Sequence, residues 1–291
     1  MAASRGHVLG ELLGNLLEET VEPILASFCK ENGLFLEQER KASAARSGKL
    51  VTWKDKYGNA HNLDFVIERN GTPDQLGQPV AFIEVAWRSY TKHSRNKAQE
   101  IQAALLPIRD THDSDAPFLG VVVAGVFTEP ALTQLRTSKF NVLYFPMNTM
   151  TEAFAAVGID VRFDEKTSDV ELEKRVGWVK ALMSEQRERV KQNLLRLNEK
   201  EIIRFQNELK SYYRRMVQYV RVIPLHGNSQ EFRSIREAAD FLNSYDESTG
   251  ATTFREYDLL VVYSNGDRIE GRFQSKESAN VLLEYVRAGL S

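Results

Sequence analysis

The chain has 291 residues with 42% hydrophobic and 27% charged side chains, a composition typical of a soluble globular protein with one sizeable core, or a main domain with an appendage. Its formal net charge of -2 excludes an overall electrostatic attraction to nucleic acid, and its single cysteine, Cys29, excludes an internal disulfide and a cysteine-cluster zinc site. No apolar run approaches the about 20 residues of a membrane span, and the N-terminal residues lack a signal-peptide pattern, so we expect a cytoplasmic protein with no membrane partner.

The first 165 residues combine helical and strand patterns. Apolar spacing predicts, in chain order, a helix at residues 8–31, strands at 50–54, 63–68 and 80–85, a helix at 94–108, a strand at 119–126, a helix at 130–137 and a strand at 142–145. Gly33 is placed to end the first helix, and the continuous apolar run at 119–126 is typical of a central strand covered on both faces. This order predicts an α/β domain of residues 1–165, with a mixed sheet flanked by helices.

The remaining residues predict two further regions. Residues 166–222 are rich in Lys, Arg, Glu, Gln and Leu, with apolar residues at helical steps, and they predict a long helical region built as one helix or a helical hairpin. Residues 223–291 predict a small α+β module, and no internal repeat is apparent. Its elements are a helix at 234–242 with Ser234 as its cap, a strand at 257–263, a turn at Asn265-Gly266, a strand at 267–274 and a helix at 278–288.

Two acids interrupt apolar strand patterns in the first domain. Asp64 lies in the run Leu-Asp-Phe-Val-Ile, and Glu84 lies in the run Phe-Ile-Glu-Val-Ala. Because side chains alternate between the faces of a strand, such an acid points either to solvent or into a polar pocket at the sheet edge. Taken singly, each acid is typical of a sheet-edge charge or a salt bridge. Taken together, two carboxylates can bind a divalent ion at a phosphodiester, and oxygen ligands suit Mg2+.

The order of these elements resembles the PD-(D/E)xK nuclease superfamily over about residues 8–147. A helix with an acid is followed by a hairpin with Asp64, a strand with Glu84 and another helix. The resemblance implies a restriction-endonuclease-like core in which Asp64, Glu84 and the backbone carbonyl of Val85 bind metal. It also implies that a helix acid, Glu18, completes the site, with Glu19 as the alternative. The implied cofactor is Mg2+, and we expect Mn2+ to substitute for it.

The sequence departs from the superfamily at one position. The Lys expected two residues after Glu84 is Ala86, and the basic segment of residues 87–97 offers replacements. The candidates are Lys97, Lys92, Arg88 and Arg95, of which Lys97 and Lys92 rank first and are not separated by the sequence. If Ser94 caps the following helix, Lys97 lies in its first turn. Gln99 or Gln102 corresponds to a glutamine often found on this helix in related nucleases.

The resemblance implies a Mg2+-dependent endonuclease of double-stranded DNA, most plausibly a type II restriction or phage-defence enzyme. Cutting both strands commonly uses two active sites, so we expect a homodimer, with residues 166–222 as a dimerisation or DNA-contact element. The basic clusters at 187–191 and 212–215 suit either phosphate contacts or a solvated face of ion pairs. Two alternatives stay open. Ala86 also fits a nuclease-like DNA-binding or assembly module without catalysis, and the helices fit a scaffold protein with no nucleic-acid role.

Overall fold

The computed structural model describes residues 4–39, 41–46, 48–112, 117–214, 217–225, 227–248, 253–263 and 267–289, without the side chains of residues 91–93 and 214. The chain divides into two compact units, Met1–Gln206 and Asn207–Ser291. Within the described ranges, no helix is both long enough and apolar enough to cross a membrane.

The first unit is built on a five-stranded mixed sheet and a separate two-stranded hairpin. The strands are β1 (Phe35–Gln38), β2 (Val51–Lys54), β3 (Ala60–Leu63), β4 (Phe65–Arg69), β5 (Gln78–Arg88), β6 (Phe118–Gly125) and β7 (Asn141–Pro146). The large sheet has the order β1-β4-β5-β6-β7, antiparallel from β1 to β5 and parallel from β5 to β7. Strands β2 and β3 form the hairpin. Every residue of β6 is buried, as its continuous apolar run predicts.

Helices flank this sheet, so the predicted α/β class with a mixed sheet is confirmed. The helices are α1 (Arg5–Asn32), α2 (Thr91–Thr111), α3 (Glu129–Thr137), α4 (Met147–Ala155), α5 (Asp169–Lys180), α6 (Ser184–Leu197) and α7 (Glu199–Arg214). Helices α2 and α3 enclose a core with one face of the sheet, including Phe82 and Val121. Helix α1 packs against β5, and α4 packs against β6 and β7. Ser4 caps α1, which ends at Gly33 with φ 64°, as the sequence predicts.

The sheet differs from the prediction in two strands. The predicted strand at 63–68 is two strands, because β3 ends at Leu63, β4 begins at Phe65 and Asp64 is the bend between them. Apolar residues stand on both sides of this bend, so the sequence pattern does not reveal that β3 and β4 belong to different sheets. Strand β1 is not predicted, because only its first two residues are apolar and the polar residues Glu37 and Gln38 follow them.

Helix α2 begins earlier than predicted. Tyr90 is its N-cap residue, without a side-chain cap, so the predicted capping role of Ser94 is wrong. Ser94 is fully buried, with its hydroxyl 3.3 Å from the hydroxyl of Thr128. Lys97 therefore lies in the second turn of α2 rather than in its first.

The predicted long helical region is three helices rather than one helix or a hairpin. Helix α5 packs against α1, and α6 packs against both α1 and α4. The break between α6 and α7 is at Asn198, which is buried and donates a side-chain hydrogen bond to the carbonyl of Tyr144 at 2.9 Å. This tertiary contact is invisible in a sequence without a helix breaker at that position. Residues 217–222, predicted as helical, lie in a strand of the second unit.

The second unit is an antiparallel sheet with helices on one face. Its elements are β8 (Val217–Pro224), β9 (Gln230–Phe232), α8 (Ile235–Ser244), β10 (Tyr257–Tyr263), β11 (Arg268–Phe273) and α9 (Lys276–Ala288). The sheet order is β11-β10-β8-β9. The unit consists of two successive β-β-α segments whose helices are capped alike by Ser234 and Ser275, so its structure repeats an arrangement that is not apparent as a repeat in the sequence. The predicted turn at Asn265-Gly266 lies outside the described residues.

The β2–β3 hairpin turn is organised by a buried acid. Asp55 accepts hydrogen bonds from the backbone N–H groups of Tyr57 at 2.8 Å and Asn59 at 2.9 Å. The ring of His61 lies 3.1 Å from the same carboxylate. Asp side chains in turns commonly accept hydrogen bonds from the backbone in this way, so Asp55 is part of the turn and not a solvated surface charge.

A buried ion network of Glu37, Arg46 and Glu68 links β1 and β4 to the neighbouring loops. Arg46 binds Glu68 directly and lies 3.4 Å from the carboxylate of Glu37, and all three side chains are less than 5% exposed. The guanidinium group also lies over the ring of Trp53, 5.1 Å from its centroid. Glu68 accepts a further hydrogen bond from the N–H of Gly77 at 2.7 Å. Glu68 is therefore a structural acid of the fold and not a solvated surface charge.

Removing the charge of Arg46 tests this network. We expect Arg46→Met to lower the free energy of unfolding by about 3–5 kcal/mol, because it leaves two buried carboxylates without their cation. Urea unfolding followed by circular dichroism measures the effect. The control is Arg236→Met, which breaks a fully solvated pair with Asp240 and should change nothing measurable. Equal effects of the two substitutions would show that the network does not stabilise the fold.

Candidate active site

Three acids lie in one row across β1, β4 and β5. The observed register, continued by one residue beyond the start of β4, places Glu39 opposite Asp64 and Asp64 opposite Glu84. The backbone N–H of Glu39 donates to the carbonyl of Asp64 at 2.9 Å, which supports this register. Opposite residues have Cβ atoms about 4.5–5.5 Å apart. Negative charge from three strands is therefore concentrated at one end of the sheet.

The bend at Asp64 turns its carboxylate toward β5. Oδ2 of Asp64 accepts a hydrogen bond from the backbone N–H of Val85 at 2.6 Å. The carboxylate thus accepts the hydrogen bond that a backbone carbonyl of a neighbouring strand would otherwise accept, at the point where β4 begins. This bond fixes the carboxylate of Asp64 beside Glu84 and brings the backbone of Val85 to the acid row.

Glu84 is held in an environment that opposes its ionisation. Its side chain is 18% exposed. Burial, followed by the charge of Asp64, raises the pKa of Glu84 to about 8. Lys97 acts in the opposite sense, and Glu39 and Glu18 raise the pKa further. A nearby cation would therefore favour the charged form of Glu84.

Lys97 is the basic side chain that the structure brings to Glu84. Its Nζ atom lies 3.9 Å from Oε1 of Glu84 and 3.7 Å from the carboxylate of Glu100. Arg88 instead donates to the carbonyl of Trp87 at 2.8 Å and pairs with Glu100.

The other predicted candidates on α2 lie elsewhere. Arg95 is exposed, and the side chain of Lys92 lies outside the described residues. Gln102 contacts α3 through Gln134 and Ser138, whereas Gln99 is exposed, so neither fills the predicted glutamine role.

The helix acid at the site is Glu18 rather than Glu19. Glu18 lines the same cleft as Asp64, and its charge raises the pKa of Glu84. Glu19 forms a two-bond ion pair with Arg187 at 2.7 and 2.6 Å. Arg187, one of the basic residues considered for a nucleic-acid contact, is therefore engaged within the protein. Adjacent helix positions point about 100° apart, which explains why the two acids have different neighbours.

Glu39 is the site residue that the sequence analysis misses. It follows β1 and reaches the cleft only because β1 pairs with β4. The available signal is the spacing of Glu37 and Glu39, since residues two apart in a strand share a face. This spacing is informative only once residues 35–38 are known to form a strand.

The acid row opens into a cleft of about 620 Å3. Its walls come from α1, the end of β5 and the start of α2. The residues that line it include Gly6, Gly10, Gly14, Glu18, Glu39, Asp64, Val85, Trp87, Tyr90, Asn96, Lys97 and Phe163. The predicted residues Glu18, Asp64, Val85 and Lys97 thus share one cleft, although they come from four separate segments.

The donor set of this cleft fits Mg2+ better than zinc. No group of three or more His, Cys, Asp or Glu side chains in the described ranges is close enough to hold a metal ion. Zinc sites use three or four such ligands, whereas Mg2+ is commonly bound by one or two carboxylates together with water and substrate phosphate. Asp64 and Glu84 supply two carboxylates, and a cation would offset both the burial and the charge of Asp64, which together raise the pKa of Glu84.

Comparisons with known proteins provide no family assignment. No family model and no curated protein matches the sequence. The crystal structure of a protein of unknown function, AF1548, matches over 64% of this chain and 99% of its own length, with 12% sequence identity and a TM-score of 0.29. A similarity at that TM-score carries no argument about fold or function.

The raised pKa of Glu84 makes the free energy of unfolding of the metal-free protein depend on pH. A glutamate in an unfolded chain has a pKa of about 4.3, whereas burial and Asp64 raise that of Glu84 to about 8. The folded state keeps a proton that the unfolded state releases. The contribution of protonated Glu84 to stability is therefore complete below about pH 4 and is lost as the pH rises to about 8.

We expect the free energy of unfolding of the unmodified protein to fall between about pH 5 and 8, relative to that of Glu84→Gln. Urea unfolding in the presence of a chelator at several pH values measures this difference. Glu185→Gln, at a side chain that is 87% exposed, is the control. Parallel curves for the unmodified protein and Glu84→Gln would contradict the assignment.

Proposed function

We propose that this protein is a Mg2+-dependent endonuclease of DNA, most plausibly a type II restriction or phage-defence enzyme with a PD-(D/E)xK-like core. The observation that carries the proposal is that Asp64 and Lys97 line one cleft and that Glu84 lies beside both. These residues were expected to act together from their sequence context, and they come from a bend, a strand and a helix.

The chemistry divides among these side chains. Asp64 and Glu84 would hold Mg2+ with the carbonyl of Val85, and the ion would supply Lewis-acid polarisation of the phosphodiester. Glu84 then carries its negative charge at neutral pH, because a cation lowers a raised carboxyl pKa. Lys97 occupies the place of the absent Lys at Ala86. Its ammonium group can donate hydrogen bonds to a phosphate oxygen or to the attacking water.

Substitution of the acids tests the proposal. We expect Asp64→Asn and Glu84→Gln each to lower Mg2+-dependent cleavage of plasmid and phage DNA by about 100-fold or more, because each removes a charged ligand without changing side-chain size. Lys97→Met should lower the cleavage rate by about 100-fold or more. Gel analysis of purified proteins, with and without Mg2+, measures these effects, and Mn2+ should also support cleavage.

Two adjacent acids of α1 provide a matched pair. Glu18→Gln should impair cleavage, whereas Glu19→Gln, which affects only the pair with Arg187, should retain it. Full cleavage by purified Asp64→Asn or Glu84→Gln would refute the nuclease proposal.

A nuclease-like binding module without catalysis is the second candidate, and Ala86 is the observation that favours it. Isothermal titration with Mg2+ or Mn2+ separates the two candidates. An active site should bind the metal in a manner that depends on Asp64 and Glu84. A protein that binds DNA but shows no such metal binding would support the module.

We infer that double-stranded DNA is cut by a homodimer that joins through the α5–α6 region. This region exposes three hydrophobic side chains, Val170, Trp178 and Met183, at 68%, 47% and 66%. Exposed apolar side chains gathered in one region are typical of interaction surfaces.

Trp178→Lys should weaken self-association, measured by sedimentation equilibrium, because it places a charge in the proposed interface. Tyr57→Lys, at an aromatic residue that is 73% exposed in the β2–β3 turn, is the control and should not change it. A monomeric unmodified protein, or equal effects of the two substitutions, would refute this interface.

A further inference from the structure

Strand β11 is an edge strand of the sheet in the second unit. Within the described part of the chain, its only strand partner is β10. The N–H of Tyr263 donates to the carbonyl of Asp267 at 2.9 Å, so the odd-numbered residues of β11 direct their backbone groups toward β10. The backbone groups of Arg268, Glu270 and Arg272 therefore point away from β10, and these three residues are exposed. Such an edge can pair with another strand.

The charges along this edge are arranged for pairing with themselves. Charged side chains on an edge strand commonly prevent the association of edges, but here the signs alternate along Arg268, Glu270 and Arg272. In an antiparallel pair of β11 strands with a two-fold axis at Gly271, Glu270 of each copy lies opposite Arg272 of the other. Opposite charges placed in this way stabilise a strand pair, whereas an axis at Glu270 would place like charges opposite each other.

The same axis joins apolar side chains on the helix side of the sheet. Ile269 and Phe273 alternate with the charged residues, and both are only partly buried against the core of the second unit. An axis at Gly271 sets Ile269 of one copy opposite Phe273 of the other. Pairing therefore covers apolar surface that a single copy leaves half-exposed, which is favourable.

Helix α9 exposes two large apolar side chains beside this edge. Val281 and Tyr285 are 69% and 74% exposed. Asn280 donates to the side chain of Asn243 in α8 at 2.9 Å, and Lys276 donates to the backbone carbonyl of Asn243 at 3.5 Å. At about 100° per residue, Tyr285 lies about 140° around the helix from Asn280 and about 180° from Lys276. It therefore faces away from α8. Because α9 packs on β10 and β11 whereas α8 packs on β8 and β9, that side is the side of the β11 edge.

We propose that β11 pairs antiparallel with β11 of a second copy of this chain, about a two-fold axis at Gly271. The two four-stranded sheets then form one sheet of eight strands. The axis is perpendicular to the sheet, so the two α9 helices lie side by side on one face and bury Tyr285. The contact lies wholly within the second unit. It does not rest on the proposed nuclease function, and its residues are separate from those of the α5–α6 region.

Engineered cysteines in the full-length protein test the register. In Glu270→Cys/Arg272→Cys, each new cysteine lies opposite the other position in the second copy, with Cα atoms about 5.5 Å apart, which is within disulfide range. Mild oxidation should convert most of this double variant into a covalent dimer on non-reducing gels. Each single variant brings its cysteines only to about 7–8 Å, so it should crosslink about 10-fold less or weaker still. Cys29 is buried and does not compete.

Sedimentation equilibrium tests the contact without new cysteines. Every protein also carries Trp178→Lys, so that the α5–α6 region does not contribute. Tyr285→Lys should weaken self-association by about 10-fold or more, because it places like charges between the two α9 helices. Glu270→Pro should do the same, because it removes an outward N–H that an edge strand can lose without unfolding. Tyr57→Lys, at an aromatic residue that is 73% exposed, is the matched control and should associate normally.

Three results would overturn the proposal. They are a monomeric Trp178→Lys protein, normal self-association by Tyr285→Lys, and crosslinking of the single cysteine variants to the same extent as the double variant. If Asp64→Asn still loses DNA cleavage in any of these cases, the nuclease function stands and only the β11 contact falls.

Discussion

The hydrogen bond from the N–H of Val85 to the carboxylate of Asp64 is the constraint on which the site depends. It ties the bend between two sheets to the long strand β5, at 2.6 Å. Because the side chain of Asp64 substitutes for a strand partner, β4 can begin there while β5 continues. One bond thus sets the acid beside Glu84 and opens the space beyond β4 that becomes the cleft.

The same two strands carry acids in two different electrostatic situations. Glu37 and Glu68 are buried, but Arg46 lies between them and balances much of their charge, so they belong to the architecture. Two residues along from Glu37, and at the start of β4, the row ending in Glu84 contains three acids with Lys97 nearby, and Lys97 is shared with Glu100. Like charges held this close are destabilising unless a cation joins them. This contrast separates an acid cluster that holds the fold together from one suited to bind a cation and a phosphate.

Much of the fold could be predicted because its signals are local. Helix α1 with its stop at Gly33 and the apolar strand β6 follow from periodicity and from a glycine placed to end a helix. The failures occurred where a distant contact decides the local structure. The break at Asn198 depends on a bond to Tyr144, and Ser94 is buried by α3 rather than exposed as a cap.

By itself, the sequence determined the α/β class, the order of most elements and the candidate acids Asp64 and Glu84, because periodicity and an acid within an apolar run are local properties. Only the tertiary structure brought Lys97 within 3.9 Å of Glu84. It also placed Glu18 rather than Glu19 in the cleft and added Glu39. The physical reason is that strand register and helix rotation bring together residues far apart in the chain. If α1 were rotated by one residue, Glu19 would face the cleft in place of Glu18; in the structure Glu19 pairs with Arg187.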